Sequence, residues 1–252
     1  MGLMGSQKKR LDRLLIEKKL VHSRSRAHAL IMAGKVRVNQ VPIDKPGALV
    51  LENAVIELQG EDHPYVSRGG LKLKAGLEAF DLRIEGYVCM DVGASTGGFT
   101  DCLLQHGAQR VYALDVGYGQ LAWKLRQDAR VVVIERTNIR YLPAGRIPEL
   151  MDLATIDVSF ISLKIVVPAT LKFLKPKAAI LALIKPQFEV GRGKVGKGGI
   201  VRSSSLHEEV ISELSIFFRD IGLSCGPVIP SPILGPKGNQ EFVMLLQREG
   251  QN

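Results

Sequence analysis

The sequence predicts an α/β protein: an open, mostly parallel sheet flanked by helices, preceded by a small basic α+β module. Three observations carry this reading. Beyond about residue 68, short apolar runs alternate with stretches of helical periodicity, as in a parallel sheet covered by helices. A glycine-rich turn, Asp91–Asp101, follows the apolar run Tyr87–Met90 and leads into such a stretch. The first 60 residues are rich in Lys and Arg and have the periodicity of two short helices followed by strands.

In the basic module, Leu11, Leu14 and Leu15 share one helical face. Ser23 caps a second helix, 24–33, whose inward face is Ala27, Leu30 and Ile31 and whose end is marked by Gly34. Residues 35–38 alternate as a strand, Asn39 and Gln40 form a turn, and 41–43 and 50–58 supply further strands. Leu11–Leu15, Ser23–Ala27, Ala33–Val36 and Val38–Asn39 together resemble the S4 RNA-binding domain. Gln40 stands where that family has glycine, and Asn39 tolerates a left-handed turn. The resemblance implies a phosphate-contacting face made by Arg10, Arg13, Lys18, Lys19, Arg24, Arg26, Lys35 and Arg37, with Arg68 further along the chain. Expected boundaries are 1–60 for this module, 61–67 for a linker stiffened by Pro64, and 68–252 for the α/β domain.

In the larger domain the expected strands are 87–92, 110–115, 131–134, 152–158, 178–184, 223–229 and 241–247. The expected helices are 69–80, 97–106, 119–127, 161–174 and 204–221. Asp115 ends its strand, where an acid accepts hydrogen bonds from ribose hydroxyls, so the sheet reads as Rossmann-like. The turn before it lacks the Gly-Lys-Ser/Thr ending of a P-loop, and Ser95 replaces the middle glycine of a dinucleotide fingerprint. Its pattern, Asp91, Gly93, Gly97 and Gly98, instead resembles motif I of S-adenosylmethionine (SAM) methyltransferases. SAM carries no phosphate, so a turn without a phosphate cradle suits it. The glycine-rich basic stretch 191–199 reads as a mobile loop beside the site.

Four charged residues collect where such a domain binds ligands. Asp157 and Lys185 end apolar strands, Glu241 begins the last one, and Lys72 lies on the helix that opens the domain. Around them, Ser67–Leu73, Asp91–Asp101, Leu114–Gly119, Ile156–Ser162, Ile184–Glu189 and Gly238–Phe242 resemble, in order, the TlyA/hemolysin-A family of ribosomal RNA 2′-O-methyltransferases. That family joins an S4 domain to an FtsJ-like domain. The resemblance implies a seven-stranded SAM methyltransferase domain whose last strand is antiparallel. It implies a catalytic tetrad on Lys72, Asp157, Lys185 and Glu241. It also implies cofactor contacts from Asp91, Gly93, Ala94, Ser95, Thr96, Gly97, Gly98, Phe99, Asp115, Val116, Asn138 and Asp157. The implied substrate is a cytidine 2′-hydroxyl in ribosomal RNA or ribosomal subunits.

The chemistry agrees with that set. A ribose 2′-hydroxyl is a very weak acid, so methylation requires a group that removes its proton and holds it in line with the methyl donor. A lysine serves as base only when desolvation or a nearby cation favours its neutral form, which adjacent acids oppose. Lys185 is expected as base or hydroxyl-positioning group, with the other three orienting it.

Composition narrows the alternatives. The net charge of +9 favours a polyanionic partner. The three cysteines show no Cys-x-x-Cys pair and the five histidines no metal spacing, which points to a reduced, cytoplasmic, metal-free protein. No apolar run is long enough to span a bilayer, so no membrane partner is expected. A non-enzymatic RNA-binding or ribosome-assembly factor and a hemolysin-like membrane-active protein stay open beside the enzyme.

Overall fold

The computed structural model describes residues 7–21, 23–58, 63–191, 193–235 and 237–248. They fall into two compact units that divide between Pro64 and Tyr65.

In the first unit, strand β1 (Lys8–Arg10) leads directly into helix α1 (Leu11–Glu17), and α2 (Arg24–Met32) follows. The Ser23 side chain accepts from the Arg26 amide and caps α2. Leu11, Leu14, Leu15, Ala27 and Ile31 meet in one core with Val36 and Val21. Strands β2 (Val36–Val38) and β3 (Val41–Pro42) form a hairpin, and both turn residues are left-handed, Asn39 at φ 50° and Gln40 at φ 68°. Two successive residues with positive φ make the tight turn that matches strand twist, so the hairpin forms without the family's glycine. One expectation fails here. Residues 50–58 are two strands, β4 (Leu49–Leu51) and β5 (Ile56–Leu58), in different sheets, β4 against β1 and β5 against β2. Glu52 and Asn53 turn the chain between them, closed by Ala54 N–H donating to Leu51 C=O.

The second unit begins earlier than the expected boundary. Tyr65 is buried in its core, and the Val66 amide donates to Asp101 Oδ2 at 2.7 Å. Tyr65 fills the space left by Gly70, where a Cβ would lie 2.3 Å from the ring. The expected linker therefore gives up Tyr65–Ser67 to this unit, while Glu61 and Asp62 lie outside the described residues.

The elements follow as α3 (Gly69–Ala79), β6 (Val88–Val92), α4 (Gly98–Gln105), β7 (Arg110–Leu114), α5 (Trp123–Arg126), β8 (Val131–Ile134), β9 (Met151–Ile156), α6 (Leu163–Thr170), β10 (Leu174–Ile184), α7 (Pro186–Glu189), α8 (Ser204–Asp220), β11 (Leu223–Pro230) and β12 (Phe242–Arg248). The seven strands pair in the order β11-β12-β10-β9-β6-β7-β8, with β12 antiparallel to both neighbours. One core lies on each face of the sheet. Two helices differ from expectation. α5 is a single turn, because Gly119 is left-handed (φ 72°) and Ala122 N–H turns back to Thr96 C=O. α7 is an unforeseen turn started by Pro186 at its first position. Among the described residues, no helix is long and apolar enough to cross a membrane.

Candidate active site

The chain runs from β6 outward to β7 and β8, then returns to β9 on the other side of β6. This reversal opens a crevice at the carboxyl ends of β6 and β9, where open α/β sheets bind ligands. Gly93 and Asp157 face each other across it. The Asp157 amide donates to Val92 C=O, and a Cβ on Gly93 would sit 2.6 Å from the Asp157 carbonyl oxygen. Gly93 is also left-handed at φ 89°. Close approach and conformation both require glycine there.

A cavity of about 570 Å³ opens at this crevice, lined by Gly93, Ser95, Asp115, Val116, Gln120 and Asn138 among others. Asp115 organises its floor. Its two oxygens accept the Ser95 and Gly117 amides, each at 2.7 Å. Each oxygen keeps acceptor capacity for ribose hydroxyls. The start of α4 does not open onto this space: a Cβ on Gly98 would strike Ser67 Oγ at 2.2 Å, and one on Gly97 would strike Leu125 at 2.3 Å. A nucleoside with no phosphate group fits such a site.

Several residues expected at the cofactor are not among those that line this cavity: Asp91, Ala94, Thr96, Gly97, Gly98 and Phe99. Asp91 is fully buried and accepts both the amide and the hydroxyl of Thr100, at 2.9 and 2.7 Å. It thereby ties the end of β6 to α4, and burial pushes its carboxyl up to about 7. Gln120, Ile139, Ser159 and Phe160 line the cavity and were not singled out from the sequence.

A second cavity, of about 480 Å³, contains the four expected charges. Lys72, Asp157, Lys185 and Glu241 line it together with Ser159, Phe160, Gln187, Lys237 and Asn239. Strand register accounts for the meeting. Ile184 pairs with Phe242 and Ala182 with Ile156, so Lys185, Glu241 and Asp157 emerge at one sheet edge. Lys72 arrives from α3, which packs closely because a Cβ on Gly76 would lie 2.9 Å from Val243. The lysines do not share a site as a bare pair; each is matched to an acid. Lys72 Nζ donates to Glu241 Oε2 at 2.5 Å, with both residues buried. Lys185 Nζ lies 2.5 Å from Asp157 Oδ1, off the direction of a good hydrogen bond, and donates to Ser159 Oγ at 3.2 Å. Glu241 Oε1 and Gln187 Oε1 are buried acceptors with no hydrogen-bond partner. Asp157, Ser159 and Phe160 belong to the walls of both cavities.

Two further contacts fasten the loop after β9 to the turn after β10. The Phe160 and Phe188 rings lie 4.9 Å apart. Glu189 accepts the Ser162 hydroxyl at 2.6 Å and the Leu163 amide at 2.8 Å. Neither Ser159 nor Glu189 carried a sequence signal of its own beyond lying in the stretches Ile156–Ser162 and Ile184–Glu189.

In the first unit the expected phosphate-contacting residues divide. Arg13, Lys19 and Arg24 are exposed, and Lys18 reaches Ala54 C=O at 3.4 Å. Arg10 and Arg24 are not free cations. They hydrogen-bond the fully buried Asp12 at 2.9–3.1 Å, and His28 joins them at 2.9 Å. The Arg10 guanidinium, ahead of His28 and Arg24, holds the Asp12 carboxyl well below the usual range. Arg26, Lys35 and Arg37 are partly exposed in the same unit. Arg68, in the second unit, is exposed and donates to Leu234 C=O. Among the described residues, no group of His, Cys, Asp and Glu is placed to hold a metal ion.

A seven-stranded sheet with one reversed strand and a crevice at its switch point defines the class of SAM methyltransferases, here joined to an S4 domain. Residues 65–248 match the FtsJ-like methyltransferase family and residues 9–56 the S4 domain. The chain belongs to the TlyA/hemolysin-A family of FtsJ-like methyltransferases. It is 48% identical to the "putative rRNA methyltransferase YqxC" of Bacillus subtilis, over 98% of this chain and 89% of that protein. It is 44% identical to the 16S/23S rRNA (cytidine-2′-O)-methyltransferase TlyA of Mycobacterium tuberculosis, over 97% and 91%. Among solved structures, a "putative hemolysin" from Streptococcus thermophilus superposes with a TM-score of 0.76 at 45% identity, covering 97% of this chain and 90% of that one.

Proposed function

We propose that this protein is a SAM-dependent ribosomal RNA methyltransferase that methylates a ribose 2′-hydroxyl. The target named for its mycobacterial relative is cytidine in 16S and 23S rRNA, and we assign the same target class here. The observation that carries the reading is the pair of adjoining cavities that share Asp157, Ser159 and Phe160. One has the carboxylate and backbone for a nucleoside; the other has two lysine–carboxylate pairs and unfilled buried acceptors.

Gly93, Ser95, Asp115, Val116 and Asn138 would hold SAM, with Asp115 accepting from its ribose hydroxyls. Bound there, SAM supplies an electrophilic methyl group on a sulfonium. The chain's own residues must then present the 2′-oxygen. Lys185, held by Asp157 and Ser159, contacts that oxygen and orients its lone pair toward the shared wall. The hydroxyl proton passes to Lys185 Nζ, which gives up one of its own to the Asp157 carboxylate, and leaves to solvent afterwards. Glu241 fixes Lys72. Phe160 is 89% exposed and left-handed (φ 64°). Its ring offers a flat surface on which a nucleobase stacks. The S4 unit supplies sequence-independent RNA affinity through its exposed cations.

The test is transfer of radiolabelled methyl from SAM to purified 30S and 50S subunits. Label is expected in RNA, recovered as an alkali-resistant dinucleotide. Label confined to bases or to protein would contradict it.

A further inference from the structure

We propose that Lys237 is the phosphate-binding residue of the substrate cavity, a specificity determinant that grips the phosphodiester next to the target ribose. The inference rests on the 2′-O-methyltransferase reading. Lys72 is matched by Glu241 and Lys185 by Asp157, each at 2.5 Å. These four charges cancel in pairs. Lys237 lines the same cavity, is exposed, and is the one cation among its described lining residues with no acidic partner.

Its position is fixed by the backbone around it. Gly238 is left-handed (φ 86°) and its amide closes a turn on Gly235 C=O. Asn239, buried just beyond, donates to Gly199 C=O and accepts the Val201 amide, both at 2.9 Å. These bonds lock the Lys237 turn against residues 199–201. The Lys237 ammonium reaches over Gly199, 3.7 Å from where a Cβ would stand, and Gly199 also lines the cavity. The result is a lone positive charge on an anchored turn at the mouth of a cavity that is otherwise neutral.

An RNA substrate brings the matching charge. The carbon next to the one bearing the 2′-hydroxyl carries a phosphodiester, whose negative charge opposes development of alkoxide character on the 2′-oxygen. A lysine acts on phosphate as a point charge. Placed here it both registers the nucleotide and cancels that opposing charge. The site then selects a ribose within a phosphodiester chain over a free nucleoside.

The experiment measures initial rates of methyl transfer to the ribosomal subunit that the wild-type protein labels, across a series of KCl concentrations, for wild type, Lys237→Gln and Lys237→Arg. SAM affinity and melting temperature are measured in parallel. We expect Lys237→Gln to lower kcat/KM about tenfold at low salt, and the slope of log(kcat/KM) against log[salt] to flatten by roughly one. Lys237→Arg should restore the slope, and SAM affinity and melting temperature should stay at wild-type values. An unchanged slope and KM in Lys237→Gln would overturn the assignment while leaving the methyltransferase reading intact. A loss that tracks weaker SAM binding or a lower melting temperature would also overturn it. Absence of transfer by the wild-type protein would remove both readings together.

Discussion

Lys185 Nζ lies 2.5 Å from Asp157 Oδ1, and Asp157 stands in the wall between the two cavities. The contact follows from strand register. β9 and β10 run parallel with Ile156 beside Ala182, so the residues that end them emerge together. A group that touches the nucleoside cavity on one side thus orients the charged cavity's lysine on the other. In the proposed reaction this coupling places the 2′-oxygen relative to the methyl donor.

The buried pair Lys72–Glu241 predicts an asymmetric mutational outcome. Removing one partner leaves the other's buried charge unpaired, so Glu241→Ala should lose about 3–5 kcal/mol of stability. The double variant Lys72→Met/Glu241→Leu should recover most of that in urea unfolding, because apolar groups of similar size leave no unpaired charge. It should not recover methyl transfer. Stability and activity regained together would show the pair to be structural only.

Gly93→Ala places a Cβ 2.6 Å from the Asp157 carbonyl at a left-handed φ of 89°. The strain should exceed about 1 kcal/mol. Relief requires the β6 and β9 loops to move apart. Calorimetry should show SAM affinity reduced by roughly tenfold or more, since a small misplacement is costly in a preorganised site. Wild-type affinity in a folded Gly93→Ala protein would contradict the assignment of this crevice to the cofactor.

Asp91 predicts a pH dependence of opposite sign to most carboxylates. Its folded pKa, about 7, lies above the ordinary 3.8, with burial as the largest cause. Between those values the folded state binds the proton more tightly than the unfolded state. Its contribution to stability is therefore complete below about pH 4 and is lost as pH rises toward and through 7. Asp12, held low by Arg10, has the reverse sign: its contribution is complete above the ordinary carboxylate range and is lost only as pH falls below it. Urea unfolding at several pH values from 4 to 8 should show the fall in wild type and a flatter profile in Asp91→Asn. An identical slope in both proteins would contradict it.

Much of this architecture was legible because strands end where charge begins. Ile156 before Asp157 and Ile184 before Lys185 mark strand ends in the sequence itself. The reversal at the last strand, inferred from resemblance, brings Glu241 to the same edge. Other features depend on contacts remote in sequence. The spacing of Arg10, Asp12 and Arg24 does not reveal that two cations of the basic face surround a buried acid. Asp91 has the composition of a ligand contact, yet its two bonds to Thr100 turn it inward. The four charges are legible as a set, but which carboxylate holds which lysine is not: Glu241 takes Lys72 and Asp157 takes Lys185. Residues 50–58 looked continuous because apolar residues flank Glu52 and Asn53, but the turn there sends the two halves to separate sheets.

The most direct measurement compares Lys185→Ala with wild type in single-turnover methyl transfer to ribosomal subunits, with SAM affinity measured on the same preparations. The account predicts that Lys185→Ala binds SAM as wild type does, because the nucleoside cavity is lined by other residues, and transfers at least about a hundredfold more slowly. Transfer at the wild-type rate with SAM bound would contradict the central claim that Lys185, oriented by Asp157, presents the 2′-oxygen.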